Sequence, residues 1–240
     1  GEGHRDAVVF RGRRATADFF IDGVRDDVQY YRPLYNLEQV EILRGPNALF
    51  FGRGGTGGAL NRVTKKGVIG ENFSRFQARL DTFEEIGLEI DNNVALSDAA
   101  ALRVNAMYEG VNHERFIDRG IPTGADGRPV EDFEDIVFGD KNLNQSDLLA
   151  NLFRATVQHR FSEELKGNLT AFYGDYEKVY QNFYADNYNP GNNQVTLDGY
   201  VDTTDRQNAI VSGNLIGEFE TGAIGHTVIF GAEYIDTSSD

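Results

Sequence analysis

The side chains that could catalyse a reaction or bind a metal are few and scattered in this sequence. The four histidines, at positions 4, 113, 159 and 226, lie far apart, and there is no cysteine. Within these residues, thiolate metal sites, disulfides and thiol nucleophiles are therefore excluded. Neither G-x-S-x-G nor H-E-x-x-H occurs, and adjacent carboxylates such as Asp26 and Asp27 fall on a predicted loop. We expect no catalytic residue, no metal ligand and no enzyme.

Two further motifs have a chemical interpretation and a plainer structural one. Residues 52–58 contain G-x-G-x-x-G, but the alternation after them predicts a strand, where a dinucleotide fingerprint requires a helix. A close-packed turn is the preferred interpretation. The acidic run at 131–135 offers oxygen ligands that suit Ca²⁺. It lacks the regular spacing of an EF-hand, so a solvated loop is favoured.

Charge divides the chain into two unlike parts. The 240 residues hold 38 Asp plus Glu and 23 Lys plus Arg, a net charge of -15, which argues against a nucleic-acid surface. Residues 1–70 carry 11 basic and 8 acidic side chains (net +3), and residues 71–240 carry 12 and 30 (net -18). We therefore predict two domains, 1–70 and 71–240. No apolar run approaches the roughly 18 to 20 residues that a membrane helix requires.

The second part alternates apolar and polar side chains with a period of two, which predicts β-strands. In 86–96 one face is apolar and the other polar, and the split recurs in 102–109, 153–161 and 165–175. In the first of these segments the apolar positions are Ile86, Leu88, Ile90, Val94 and Leu96, against Glu89, Asp91 and Asn93. A soluble sandwich would show the same alternation, but it needs a second sheet to cover the apolar face.

The lengths of the connections favour a different β architecture. Short turns are predicted at 97–100, 162–164 and 221–225, and long polar loops at about 114–148 and 181–208. The connection at 82–85 is short although the alternation assigns it to the long-loop end. Short turns at one end and long loops at the other are typical of a transmembrane antiparallel β-barrel. The fold class is therefore predicted to be mainly β.

The first seventy residues are predicted to form a small α+β domain. Short strands are expected at 8–10, 19–21, 40–43 and 60–64, a tight turn at Asp22 and Gly23, and a brief helix at 47–51. The chain begins without Met, and its last residues read as a strand. We expect it to be part of a longer protein.

Segment 19–67 resembles the C-terminal half of the plug domain of TonB-dependent siderophore receptors. Its sequence is FFIDGVRDDVQYYRPLYNLEQVEILRGPNALFFGRGGTGGALNRVTKKG. Within that family it is similar to the ferric-catecholate receptors. The resemblance implies a 22-stranded barrel in the Gram-negative outer membrane, of which about seven strands are present at 71–240, with a partial plug at 1–70. It also implies capture of a ferric siderophore and its import by plug rearrangement. TonB would bind an N-terminal segment absent here, and outer-membrane lipid and lipopolysaccharide would surround the barrel.

The same resemblance suggests which residues bind the ligand. A plug loop aligns with Tyr30, Tyr31 and Arg32, which become the leading ligand contacts, and Arg13 and Arg14 extend this basic surface. Tyrosine can stack on a ferric catecholate, and arginine adds charge and a cation-π contact. Alternatively, the two tyrosines pack the plug against the wall. The iron would arrive chelated, so no directly bound cofactor is expected.

Other arginines are expected to hold the plug in place. Arg11 and Arg44 match plug arginines that pair with barrel glutamates in the family. Arg103, Arg154 and Arg160 are predicted to form contacts between the barrel wall and the plug.

Two alternative functions stay open. One is TonB-dependent uptake of another cargo, such as a glycan or cobalamin, and the other is a soluble β-rich binding or adhesion module.

Overall fold

The computed structural model describes residues 8–10, 13–15, 19–26, 32–44, 58–82, 85–113, 120–140 and 143–240. Their strands form three sheets of two, four and seven strands. The two smaller sheets use residues up to Thr64, and we call this part the N-terminal unit. The seven-stranded sheet begins at Phe73, and we call it the wall. Among the described residues, no helix is long and apolar enough to cross a membrane.

The wall is an antiparallel sheet in which each strand pairs with the next along the chain. Alternating side chains with short turns build such a meander because each hairpin places its two strands side by side. The count of seven matches the number of strands expected from the sequence. The strands are β7 (Phe73–Leu80), β8 (Ile86–Ser97), β9 (Ala100–His113), β10 (Gln145–Arg160), β11 (Leu165–Asn189), β12 (Gln194–Thr221) and β13 (Ile224–Ser239).

The two faces of the wall are inverted relative to a soluble sheet. The outward face is apolar and open: Leu88 and Ile90 in β8 are 38% and 46% exposed. The inward face is polar and covered: Asp91 and Asn93 in the same strand are 7% and 1% exposed. The predicted alternation is therefore confirmed, and its apolar side is the uncovered one.

The connections of the wall lie at two unlike ends. At one end, β8–β9, β10–β11 and β12–β13 are joined by the short turns that the sequence predicts. At the other end, residues 120–140 and 143–144 belong to a long connection whose only regular element among the described residues is a 3-10 turn at Glu131–Phe133. The long loop predicted at 181–208 is wrong. β11 and β12 continue through it as a paired hairpin, and only 190–193 turn.

The described part of the long connection packs on that hairpin. Thr123 bridges to Asn187, and the rings of Phe133 and Tyr188 meet edge to face at 5.0 Å. The buried Asn144 amide donates to the Phe183 carbonyl (3.0 Å) and accepts from its N–H (2.8 Å). The hairpin therefore extends the wall and supports the connection.

The N-terminal unit consists of short strands. β1 (Val8–Phe10) pairs with β2 (Arg13–Ala15), and the four-stranded sheet has the order β4-β3-β6-β5. The strands expected at 8–10, 19–21, 40–43 and 60–64 are all present. The helix expected at 47–51 and the glycine run at 52–57 lie outside the described residues. The four strands are β3 (Phe19–Ile21), β4 (Val24–Arg25), β5 (Leu37–Arg44) and β6 (Gly58–Thr64).

A small core joins the N-terminal unit to the inward face of the wall. Tyr35, just before β5, is 9% exposed and packs with Met107 of β9, Ala150 and Leu152 of β10, and Tyr176 of β11. Burying aromatic and aliphatic surface in this way stabilises the contact without any charge. Residues 65–72 lead from β6 to β7, and we call them the connecting segment.

Candidate functional site: the junction between the N-terminal unit and the wall

The junction is organised around two carboxylates, one in each part. The first is Asp22, in the turn between β3 and β4. Asp22 and Gly23 have φ values of 51° and 86°, as a type I′ turn requires at both central positions, so the predicted tight turn is confirmed. Asp tolerates this left-handed conformation better than most residues. The turn projects the carboxylate toward β6 and the wall.

Asp22 accepts hydrogen bonds from three neighbours. Its Oδ2 accepts from Arg154 Nη2 of β10 (2.7 Å), from Lys66 Nζ (3.0 Å) and from Thr64 Oγ1 (2.6 Å). Its Oδ1 accepts from the Thr64 N–H (2.9 Å). Arg154 belongs to the wall and Lys66 to the connecting segment, so this one carboxylate joins both to the N-terminal unit. The contact expected between Arg154 and the plug region is confirmed.

The electrostatics of this cluster shift two pKa values. Burial acts to raise the pKa of Asp22, but the positive charges of Lys66 and Arg154 and the hydrogen bonds from Thr64 outweigh it. The pKa of Asp22 therefore lies below its usual value. Burial also lowers the pKa of Lys66, and the charge of Asp22 opposes this without reversing it. The ion pair forms when Asp22 is deprotonated and Lys66 is protonated.

The second carboxylate is Asp91, on the inward face of β8. Arg103 of β9 bonds it with two parallel contacts of 2.8 Å, Nε to Oδ1 and Nη2 to Oδ2. Such a bidentate pair fixes geometry as well as charge. Asn105 donates to Oδ1 (2.9 Å), and Lys65 Nζ lies 3.3 Å from Oδ2. Because Lys65 comes from the connecting segment, Asp91 also joins the wall to the N-terminal side.

The backbone of the connecting segment is held as well. Asn93 of β8 accepts from the Val68 N–H (2.9 Å) and donates to the carbonyls of Val68 (2.9 Å) and Glu71 (2.8 Å). Arg103 Nη1 donates to the Lys66 carbonyl (3.0 Å), so the contact expected for Arg103 is confirmed. A Cβ at Gly67 would meet the Ala101 carbonyl oxygen at 3.0 Å. The segment therefore runs so close to the wall that a side chain at this position would be crowded.

A third ion cluster lies inside the N-terminal unit. Arg32 is 4% exposed. Its Nε donates to Asp26 Oδ2 (3.0 Å) and its Nη2 to the Asp26 carbonyl (3.0 Å). Its guanidinium lies 4.1 Å from the centre of the Phe19 ring. Arg62 of β6 also donates to Asp26. In this structure Arg32 is thus a buried member of the N-terminal unit, and its role as a ligand contact stays a prediction.

The other residues predicted from the resemblance have different outcomes. Arg11, Tyr30 and Tyr31 lie outside the described residues. Arg13 and Arg14 lie in β2, and Arg44 is the last residue of β5. Their roles in ligand binding and in holding the plug stay predictions.

Arg160 differs from Arg154 and Arg103. It lies at the short-turn end of the wall, where its Nη2 donates to the Asp98 carbonyl at 3.3 Å. The partner belongs to the turn between β8 and β9, so this contact joins two hairpins of the wall.

The chemistry of the junction is attachment through paired charges. In the described part of the chain, no group of three or more His, Cys, Asp or Glu side chains is placed to hold a metal. Sequence reasoning identified the arginines of the wall but missed Asp22, Lys65 and Lys66. A carboxylate in a tight turn and a Lys-Lys pair are common surface features, and nothing local reveals a partner more than a hundred positions away.

Both the sequence and the fold of this chain are similar to those of known proteins. A family model, the TonB-dependent receptor plug domain, matches residues 1–59. The probable TonB-dependent receptor BfrD of Bordetella pertussis is 40% identical over 110 residues, which cover 45% of this chain and 15% of BfrD.

The N-terminal part of the chain is thus similar to the plug domain of TonB-dependent receptors.

Solved structures of siderophore receptors share the fold. The siderophore receptor PiuA of Acinetobacter baumannii superimposes with a TM-score of 0.65 over 100% of this chain and 41% of its own, at 20% identity. The open form of the ferric-catecholate receptor Fiu of Escherichia coli gives 0.63 over 98% and 44%, at 21% identity. The chain therefore spans less than half the length of these receptors. The TonB-dependent receptors that the chain resembles are proteins of the Gram-negative outer membrane.

Proposed function

We propose that this chain forms the C-terminal half of the plug (residues 1–70) and the first seven strands of a 22-stranded barrel (residues 71–240) in a receptor that imports a ferric siderophore. The receptor binds the chelate at the cell surface and releases it inward when TonB pulls on the plug. Its role is that of a transporter and not of an enzyme. Relatives named as siderophore receptors, including Fiu and PiuA, support the choice of cargo.

The observation that carries the proposal is the inverted wall with a charged junction on its inward face. A sheet with an open apolar face and a polar, ion-paired face suits lipid on one side and an internal plug on the other. A soluble sandwich would cover that apolar face with a second sheet. Among the described residues, no second sheet lies over it.

The junction also supports a plug that is attached and yet releasable. Ion pairs at a partly wet interface are geometrically specific but contribute little net stability, since desolvation offsets much of the attraction. Asp22 holds Arg154 and Lys66 without a covalent bond or a large apolar interface. Such a contact can break and re-form as the plug rearranges.

Uptake by the complete receptor tests the cargo. Cells that carry it as their sole receptor are given radiolabelled iron as a ferric catecholate, with and without TonB. We expect accumulation only with TonB. Uptake of a glycan or cobalamin without uptake of any iron chelate would replace the proposed cargo, and recovery of the protein in a soluble fraction would overturn the receptor itself.

The ligand contacts need their own test. Replacement of Tyr30, Tyr31 and Arg32 together by Ala should weaken binding of the ferric catecholate. The matched control is Arg32→Ala alone, because Arg32 also bonds Asp26 inside the plug. If the triple variant binds as the wild type does, these residues are not ligand contacts. If the single variant accounts for the whole loss, Arg32 acts by holding the plug.

A further inference from the structure

The outward face of the wall has a groove near its short-turn end. The groove has a volume of about 380 Å³ and crosses the four strands β10 to β13. It is far larger than the ~150 Å³ apolar cavity that is enough to bind benzene. Its apolar lining consists mainly of Val157, Phe161, Leu169, Leu215, Phe230 and Ala232.

Two glycines create the groove. Gly167 lies between His159 and Leu215 in the register of the sheet, and Gly213 lies between Leu169 and Ala232. Both occupy outward positions, next to Leu215 in the case of Gly167 and next to Leu169 in the case of Gly213. The missing side chains leave a depression with aromatic and aliphatic rims.

Local packing requires only one of these glycines. A Cβ at Gly167 would lie 2.9 Å from Leu215 Cδ2 and 3.0 Å from the Asn214 carbonyl oxygen, so a side chain there would clash with backbone. A Cβ at Gly213 would have its nearest neighbour, Leu169 Cδ1, at 3.6 Å, an ordinary contact. Nothing in the described wall therefore prevents a larger residue at 213. Its effect would be to fill the groove.

One end of the groove is polar. His159 is the only titratable residue in the lining, all of which is described. Its ring meets Phe161 edge to face at 4.5 Å, close to the short turn. At the same end of the wall, His226 stacks on Phe219 at 5.0 Å. An imidazole at the boundary of an apolar surface can bond a polar head group while the apolar body of its ligand lies deeper.

The outward face itself indicates what fills the groove. It is continuous with the open apolar surface of β8–β13, which faces lipid in an outer-membrane protein. In such proteins the short turns lie on the periplasmic side, where the leaflet consists of phospholipid. We propose that the groove binds one acyl chain of a glycerophospholipid of the periplasmic leaflet, with the phosphate beside His159.

Shape provides the selectivity of this site. Lipid tails are as apolar as the side chains of the groove, so transfer from bulk lipid yields no hydrophobic gain, and close packing must hold the chain. The bound chain fills a furrow that would otherwise leave Leu169 and Leu215 poorly packed. The site is independent of the siderophore and requires only the location of the protein in the outer membrane.

The test uses the complete receptor in nanodiscs of phosphatidylethanolamine with a small fraction carrying a diazirine in the acyl chain. After irradiation, labelled peptides are mapped. We expect the segments around Leu169 and Leu215 to be labelled about tenfold more than the segment around Val94, an apolar outward position at the same level of the sheet as Leu169; this ratio corresponds to about 1.4 kcal/mol. Equal labelling of the three segments would mean bulk lipid only and would overturn the proposal.

Variants at the glycines complete the test. Gly213→Leu should abolish the excess labelling, whereas Gly225→Leu, at a position with open space and outside the groove, should leave it unchanged. Uptake of iron chelate by both variants checks that they fold. If Gly213→Leu does not fold, Gly213→Ala, whose Cβ fits, should reduce the excess in part. Persistence of the excess in a folded variant, or preferential labelling by a diazirine lipopolysaccharide, would contradict the phospholipid site.

Discussion

Adjacent residues of β8 lie in opposite environments. Ile90 faces outward and is 46% exposed, and Asp91 faces inward and is 7% exposed, with both carboxylate oxygens bonded. In a soluble sheet the isoleucine would be buried and the aspartate hydrated. The wall reverses this pattern, since its apolar side is open and its polar side is covered by the N-terminal unit. The contacts of Asp91 and Asp22 across the junction are accordingly between charged side chains.

The largest effect is expected on the inward face. Asp91→Ala removes the carboxylate that neutralises the buried Arg103, and loss of one partner of a buried pair costs about 3–5 kcal/mol. The free energy of unfolding, measured by denaturant titration of the complete receptor in lipid bilayers, should fall accordingly. Ile90→Ala is the matched neighbour and should cost less. The opposite order would mean that the wall is packed like a soluble sheet.

The second prediction tests the outward face with a charge. Ile90 lies near the middle of β8, so Ile90→Arg should cost about 2–4 kcal/mol, as charged residues do at the bilayer midplane. The same denaturant titration measures it. Ile90→Val keeps the apolar surface and serves as control. A negligible cost for the arginine would place this face in water and contradict the orientation of the wall.

The third prediction concerns the pair that crosses the junction. Asp22 and Arg154 lie 132 positions apart in sequence and 2.7 Å apart in space. In a double-mutant cycle with alanine, they should show a coupling energy of about 1–3 kcal/mol, the range for residues in direct contact. Glu218 and Arg154 share no contact and form the control pair. Additive effects for Asp22 and Arg154 would show that the contact does not hold the plug.

The fourth prediction is a pH dependence. The pKa of Asp22 is lowered in the folded state, so its contribution is complete above its unfolded pKa of about 3.9 and is lost as the pH falls through the lower folded value. Protection of the 58–66 amides from hydrogen exchange should therefore decrease below about pH 4. In Asp22→Asn this decrease should be smaller. An identical acid profile for both proteins would assign the loss to other carboxylates.

The smallest effect is expected for an exposed pair of similar geometry. Lys166 and Glu218 lie 2.9 Å apart, but their side chains are 47% and 54% exposed. Exposed pairs contribute about 0–1 kcal/mol and are screened by salt. Lys166→Ala should shift the unfolding free energy by no more than that, and less at high salt. A larger, salt-independent effect would show that water has less access to this pair than the exposure of its side chains indicates.

The sequence predicts the strands of the wall wherever one face of the strand is apolar and the other is polar. In β8 and β9 most outward residues are apolar and most inward residues are polar, so the alternation is visible without a structure. The hairpin at 181–208 is rich in Asn, Asp and Gly, a composition that predicts a loop. Only its pairing through Tyr188 and Val195 identifies it as strand.

Of the junction, the sequence predicts the arginines of the wall but not the residues that they contact. Arg103 and Arg154 are recognisable because a charged residue on the inward face of a lipid-facing strand needs a partner. Across the junction, Arg154 bonds Asp22 in a turn and Arg103 bonds the Lys66 carbonyl, and only the tertiary structure brings these groups together. The likeness to the plug family located this region, but it did not indicate that Asp22 binds the wall.

Lys65 and Lys66 are neighbours in sequence but form ion pairs with different parts of the molecule. Lys65 reaches Asp91 of the wall, and Lys66 reaches Asp22 of the plug. An extended backbone directs successive side chains to opposite sides, so this division depends on parity rather than on residue type, since both residues are lysine. Insertion of one uncharged residue between Thr64 and Lys65 would reverse the two directions relative to β6 while leaving the charge the same. The spacing of this short segment is thus itself a constraint on how plug and wall are joined.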